Sequence, residues 1–342
     1  NMALAIGVTL TFGVSPIIGI PFLMALYKSS TYGGSISAIL LNIPGTPAAA
    51  ATCLDGYKLT QKGQAGKALK IALYSSVMGD AFSDIVLILT AASLASVAMA
   101  FGPPEFAMLL LFSLSFTGSL AGKSMIKGLA SILLGLLFAT VGLDLMTAQP
   151  RFSFGIFELT SGFNFIVVLI AMFTMSEVFL AVEKKIIGPK VKEGQVKVTM
   201  KDPQNKVTLK DMKKIMRPVA VGSLIGTFMG IMPGIGGAAA SFVGYGAAKN
   251  VSGHPDEYGE GSIEGVAAAE ATNNAVCGAN LVPLLGLGVP GNSAAAILGA
   301  ALMIQGIAPG PTIFREHGPT LYAIFVAMLL ANLFILFMAK PF

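Results

Sequence analysis

The chain has 342 residues, of which 54% are hydrophobic and only 11% charged, with a mean hydropathy of +0.78. A soluble chain of this length carries about twice that charge fraction, and the apolar runs repeatedly approach the length that spans a bilayer, so composition excludes a soluble globular domain. The net charge of +5 does not argue for nucleic acid: half of the 22 basic residues crowd into Glu183 to Arg217, which reads as a cytoplasmic loop under the positive-inside rule.

In chain order, the first apolar run covers Met2 to Leu26, with Pro16 and Pro21 placed to bend or break it. It opens without a basic n-region, so no cleavable signal peptide is visible. Tyr32 to Leu54 follows, with Pro44-Gly45 at its middle, and reads as two half-helices or a re-entrant hairpin. Asp55 to Lys67 is polar and glycine-rich, and Lys58, Lys62, Lys67 and Lys70 mark the cytoplasmic side. Leu69 to Met99 is too long for one upright span and is expected to tilt or break. Phe101-Gly-Pro-Pro104 then turns outside, Phe106 to Phe116 returns, and Lys123 and Lys127 meet the cytoplasm as anchors. Ile126 to Leu145 leads out to a loop at Met146 to Ser161, and Phe163 to Val182 comes back to the basic loop.

The second half begins at Pro218. Val219 to Met232 and Ile235 to Ala248 flank Pro233-Gly234, and Lys249 to Glu264 is polar. Gly265 to Leu287 leads to Pro290-Gly291, then come Ala294 to Ile304 and a last span from Leu321 to Met338. Three related stretches stand out: Asn42-Ile-Pro-Gly-Thr-Pro-Ala-Ala-Ala-Ala51, Met232-Pro-Gly-Ile-Gly-Gly-Ala-Ala-Ala-Ser241 and Gly288-Val-Pro-Gly-Asn-Ser-Ala-Ala-Ala-Ile297. Broken backbone survives in a bilayer only where protein or a watery cavity receives it, and paired breaks point to a transporter's binding site. The expected fold is an all-α polytopic membrane protein of two homologous halves of inverted topology: residues 1–182, a basic cytoplasmic loop at 183–217, and residues 218–342. Both ends look cut, so a longer protein is expected.

Tyr32-Gly-Gly-Ser-Ile-Ser-Ala-Ile-Leu-Leu-Asn-Ile-Pro-Gly45, Leu54-Asp-Gly-Tyr57, Gly102-Pro-Pro-Glu-Phe106, Gly230-Ile-Met-Pro-Gly-Ile-Gly236, Glu264-Gly-Val-Ala-Ala-Ala-Glu-Ala-Thr-Asn-Asn-Ala275 and Leu287-Gly-Val-Pro-Gly291 resemble the large membrane subunit of tripartite tricarboxylate transporters, over nearly the whole chain. The resemblance implies a multi-pass permease of the bacterial inner membrane that works with a periplasmic solute-binding protein and a small membrane subunit. It implies uptake of a di- or tricarboxylate by secondary transport coupled to Na+ or H+, with no cofactor beyond that ion and no catalysis. In keeping with this, no Gly-x-x-x-x-Gly-Lys-Ser/Thr phosphate loop occurs. Members of the family are longer and carry one more Pro-Gly-rich motif near the amino end, so the partner of the first break is expected upstream of Asn1.

An anionic substrate in a low-dielectric site needs donors, and broken helices offer amide N–H groups at half-helix amino ends. The candidate carboxylate site is therefore Ser37, Asn42, Pro44, Gly45, Thr46 and Pro47 from the first break, with Pro290, Gly291, Asn292 and Ser293 from its counterpart. Pro233, Gly234, Gly236 and Gly237 serve similarly, although small residues also simply let membrane helices pack closely. Thr272, Asn273, Asn274 and Asn280 form a polar wall or a cation ligand set, with interhelical hydrogen bonding as the competing account. Ionisable groups at membrane depth mark an ion path or a pair. Asp80 and Asp84, four apart on one helix face, could hold a cation or a proton between two oxygens, and Glu270 is the favoured coupling acid; each could equally be a hydrated carboxylate. Glu177 and Asp144 fall near span ends. His254 and His317 lack a partner at metal spacing, so no metal site is expected, and Cys53 and Cys277 read as packing residues. Tyr32 and Tyr57 read as interfacial anchors. An ion channel with Pro-Gly filter loops, and an intramembrane enzyme using paired acids, remain as alternatives from other classes.

Overall fold

Without water to satisfy its amides, an apolar chain in a bilayer is driven into helix wherever proline and glycine permit. The computed structural model describes residues 2–105, 107–108, 111–112, 125–144, 147, 149–163, 167–168, 171, 179, 182–183 and 203–339. In chain order its α-helices are α1 (Met2–Leu10), α2 (Pro16–Leu41), α3 (Ala50–Gln61), α4 (Ala65–Ala98), α5 (Met125–Ala139), α6 (Leu209–Ile231), α7 (Gly237–Val251), α8 (Ile263–Ala279), α9 (Leu281–Leu287), α10 (Ser293–Ile304) and α11 (Ile313–Ala339). Among the described residues, sheet is confined to one hairpin, β1 (Gly142–Leu143) antiparallel to β2 (Pro150–Arg151). The protein is an all-α membrane protein, and α4 and α11 are each long and apolar enough to cross a bilayer.

By compactness the residues fall into two units, 1–10 with 101–191 and 11–100 with 192–342. Compactness and internal repetition are different properties, so this division leaves the two expected halves as an expectation. In the first unit the hairpin carries an ion pair between Asp144 and Arg151, and Phe138 meets Phe163 edge to face at 5.5 Å. Most of the expected spans Phe106 to Phe116 and Phe163 to Val182 lie outside the described residues, as do Lys123, Glu177 and the loop residues Lys184, Lys185, Lys190, Lys192, Lys197 and Lys201.

The second unit is built around α8, all 17 residues of which are buried. It packs against α4, α6 and α7. Gly222, Gly226 and Gly230 on α6 recur every turn and let the two backbones approach: a Cβ at 230 would stand 2.7 Å from that of Ala279. Outward-facing Leu89, Phe228 and Phe337 are largely exposed, as lipid-facing residues are.

Several segments differ from the sequence expectation, each for a local reason. The first run divides at residues 11–15, where Gly13 takes φ +75°, and Pro16 opens α2 at a position where its missing N–H costs nothing. Pro21 lies inside α2, which runs on through Lys28 instead of ending at the polar Lys28-Ser29-Ser30-Thr31. Leu69 to Met99 does not break: α4 is one helix of 34 residues, about 51 Å long, so tilt or protrusion absorbs the excess. Asp55 and Gly56 belong to α3 and are buried there, so the polar turn shrinks to residues 62–64. α6 starts at Leu209, in the basic segment, because Thr208 and Asp211 form a reciprocal capping box. His317 is a kink in α11 beside Pro319. Tyr32 is 8% exposed and packs with Ile39, Leu59 and Leu69, so it is a core residue and not an interfacial anchor.

Candidate functional site

The three Pro-Gly breaks fold locally as their residues dictate. α2 ends where Asn42 adopts the left-handed conformation, φ 57°, which asparagine tolerates, and its amide bonds back to Ser37 O. The chain then folds onto α2: Gly45 N donates to Gly34 O at 3.0 Å, and a Cβ on Gly45 would lie 2.8 Å from Gly34 Cα and 2.9 Å from Ser37 Oγ. Thr46 caps the next turn, its Oγ1 accepting from Ala49 N at 3.3 Å. At the second break Gly234 has φ +84°, and at the third Asn292 caps α10 by accepting from Ala295 N at 2.9 Å.

The breaks meet. Gly234 N donates to Gly291 O at 2.8 Å, joining the second to the third across 57 residues of sequence, and a Cβ on Gly291 would strike Asn280 at 2.8 Å. Asn280 and Asn292 both donate to Tyr27 Oη, at 3.0 and 3.3 Å. The first break reaches the second through Ala48 and Gly237: a Cβ on Gly237 would be 3.5 Å from that of Ala48 and 3.3 Å from Asn273 Oδ1. The Asn273 side chain is buried and its Nδ2 has no hydrogen-bond partner, as has Asn280 Oδ1. Asn42, Pro44, Gly45, Pro47 and Pro290 are exposed, whereas Thr46, Pro233, Gly234, Gly236, Gly237, Asn292 and Ser293 are half-buried.

The other candidates divide by the face of α8 they occupy. Thr272 turns toward the glycines of α6 and α7 and bonds Ala268 O at 2.7 Å, which is a packing position. Glu270 and Asn274 face α4. The Glu270 carboxylate, fully buried, accepts from Thr52 of α3 and from Ser76 of α4 at 3.0 Å, with the buried Ser35 near enough to interact. Asn274 Nδ2 completes the chain to Ser76 Oγ at 2.8 Å and to Glu270 O at 2.9 Å. No cationic side chain meets Glu270 among the described residues; hydroxyls alone hold it.

Asp80 and Asp84 face a cation supplied by the protein. Lys28 Nζ, 0% exposed, pairs with Asp84 Oδ2, stands 3.7 Å from Asp80 Oδ1 and donates to Asn332 Oδ1 at 3.1 Å. Asn332 Nδ2 in turn donates to Asp84 Oδ2 at 2.8 Å. Sequence reasoning missed Lys28 because three hydroxyl residues after it mimic a span boundary. The available signal was its setting: a single lysine between two long apolar runs, at membrane depth, is ordinarily a paired one.

Asp55 was missed as well. Its Oδ1 accepts from Gly259 N, Gly261 N and Ser262 N, each at 2.8 Å, and its Oδ2 from Tyr245 Oη at 2.8 Å. One carboxylate thus fastens α3, which follows the first break, to the loop that opens α8. In the polar, lysine-bearing segments, Lys67 and Asp211 pair at 2.7 Å and Lys214 and Glu257 at 2.7 Å. His254 Nδ1 lies 3.3 Å from Glu264 Oε1, and no cluster of three metal-ligating side chains occurs among the described residues.

Buried helices interrupted by Pro-Gly, with the interruptions in contact and partly exposed, define a helical membrane protein of the broken-helix kind. Residues 1–342 match the Tripartite tricarboxylate transporter TctA family, and the chain belongs to that family. It is 38% identical, over its full 342 residues, to a protein of Agrobacterium vitis described as an uncharacterized 52.8 kDa protein in the TAR-I ttuC' 3' region, of which it covers 66%. A second Agrobacterium vitis protein, described as uncharacterized in the TAR-II ttuC' 3' region, is 38% identical over 116 residues, 34% of this chain and 48% of that protein. The chain therefore spans about two thirds or less of the curated relatives it matches. No solved structure matches it.

Proposed function

We propose that this chain is the core of a secondary transporter, not an enzyme, that imports a di- or tricarboxylate across the bacterial inner membrane as a multi-pass subunit. A periplasmic solute-binding protein delivers the substrate, a small membrane subunit completes the permease, and a Na+ or H+ gradient drives the cycle by alternating access. The observation that supports this reading is the Gly234 N–H to Gly291 O contact of 2.8 Å, which brings together two breaks far apart in sequence. The substrate carboxylates would lie against Thr46, Gly237, Asn292 and Ser293, with the unpartnered Asn273 amide as donor and Ser37, Asn42, Gly45 and Gly236 forming the accessible rim. No arginine stands among these groups, so they recognise the carboxylate as such and leave the carbon skeleton to other contacts. A substrate with two or three negative charges calls for more than one compensating cation, which gives Glu270 and the Asp80–Asp84 pair separate places in the coupling.

Radiolabelled citrate and other carboxylates, offered to proteoliposomes holding the full-length protein, its small subunit and loaded binding protein, test this directly. Accumulation that follows an imposed sodium or proton gradient and stops without the binding protein is the expected result. Failure with every carboxylate and both gradients, in a folded preparation, would sink the reading.

A further inference from the structure

The cluster on α2, α4 and α11 contains one ammonium and two carboxyls. Asp80 and Asp84 are 2% and 1% exposed and Lys28 is 0% exposed, so water does not balance the difference. Asp84 Oδ2 receives both Lys28 and the Asn332 amide, which holds that carboxylate anionic. Asp84 Oδ1 and Asp80 Oδ1 are buried without a hydrogen bond, and the ammonium stands 3.7 Å from the latter. On the remaining side α8 presents the Cys277 thiol, bonded to Thr31 Oγ1 at 3.5 Å, with Tyr27 beside it; neither can supply a positive charge. With both carboxyls ionised the cluster carries one uncompensated negative charge in a low-dielectric interior, which is strongly unfavourable. One added positive charge removes it. A sodium ion needs a shell of several oxygens, which the two buried oxygens without a hydrogen bond do not make by themselves, whereas a proton needs one oxygen to sit on and one to point at.

We propose that Asp80 holds an exchangeable proton, with Asp84 and Lys28 as its fixed counter-charges and Asn332 as the brace between them, and that this is a proton-coupling site of the transporter. Only the O–H bond at Asp80 forms and breaks, the proton being taken from water on one side and given to water on the other. Lys28 is then a tethered cation that leaves the pair one charge short, so a single proton saturates the site. The coupling consequence rests on the transport reading above; the proton site itself does not.

Difference infrared spectroscopy of the full-length protein in lipid, following the carbonyl band of protonated carboxylic acids, separates the two. The expected result is a component that titrates with pH, is insensitive to sodium at fixed pH, persists in Glu270→Gln and disappears in Asp80→Asn. Lys28→Met, which leaves two carboxyls and no ammonium, should raise that component about twofold, and this variant carries the test if Asp80→Asn fails to fold. A component unchanged by both substitutions, or one displaced by sodium at constant pH, overturns the proposal. Uptake that fails for every carboxylate while the band behaves as described sinks the transport reading alone; normal uptake without the band sinks the proton site alone.

Discussion

Asp55 fastens the helix after the first break to the loop before α8, and removing its carboxylate should have a calculable effect. Asp55→Ala leaves three buried or half-buried amides, Gly259, Gly261 and Ser262, without their acceptor, and Tyr245 without its own. An orphaned donor costs about 1–3 kcal/mol, so the four together come to at least about 4 kcal/mol, and partial exposure of residues 255–261 lets water recover part of it, which leaves an expected loss of about 3 kcal/mol. Asp55→Asn keeps one oxygen for the three amides and can donate to Tyr245, losing only the charge assistance, about 1–2 kcal/mol. Helix content followed by circular dichroism during heating in detergent is the suitable assay, since the chain has no tryptophan. At about 2 °C for each kcal/mol in a chain of this size, the midpoint should fall by about 6 °C for alanine and about 3 °C for asparagine. Midpoints within about 1 °C of the parent for both, or asparagine below alanine, would refute the reasoning.

Other expectations follow from separate contacts. Gly234→Ala puts a side chain at φ +84° and should cost about 1–2 kcal/mol at the break while abolishing uptake more than folding, measured as transport per folded protein. Thr208→Ala removes the capping box of α6 and should lower stability by about 1 kcal/mol in the same thermal assay. Burial alone would raise the Asp211 carboxyl, but hydrogen bonds from Lys67 and Thr208 outweigh it and hold the group below the usual carboxylate range. A depressed folded value means stability that is present above the unfolded value, about pH 4, and is lost as pH falls through the folded one. Asp211→Asn should therefore flatten the acid limb of a midpoint-against-pH curve, and an unchanged limb would contradict the ion pair. Glu270→Gln removes a buried ionisable carboxyl held only by hydroxyls, and uptake in that variant should lose part of its gradient dependence; full retention takes Glu270 out of the coupling.

Part of the fold was legible because bilayer length acts on long stretches: a helix lies on either side of each Pro-Gly, although the one before the first break begins already at Pro16 and the one before the third divides at Asn280, and Thr46 and Asn292 cap where a polar residue after Pro-Gly should cap. What escaped depends on contacts between distant segments. Lys28 looked like a boundary because its neighbours are hydroxyl residues, and nothing within a helical turn reveals an aspartate 56 positions away. Asp55 looked like loop because it begins a polar, glycine-rich stretch, while the amides it receives lie more than 200 positions on. Thr272 looked like its amide neighbours, but the helical period turns it toward the glycine faces of α6 and α7. A joint site of the first and third breaks was expected from their likeness; that Gly234 of the second break bonds Gly291 of the third, with Tyr27 tying Asn280 to Asn292, was not.

Accessibility of single cysteines at the breaks tests the central idea most directly, that these interruptions form one aqueous carboxylate site. In full-length protein freed of Cys53 and Cys277, Thr46→Cys and Ser293→Cys should both react with a water-soluble maleimide, and a transported di- or tricarboxylate should slow both reactions together, while a cysteine at lipid-facing Leu89 should be unaffected. Reaction at neither position, or labelling that no carboxylate slows, would contradict the account.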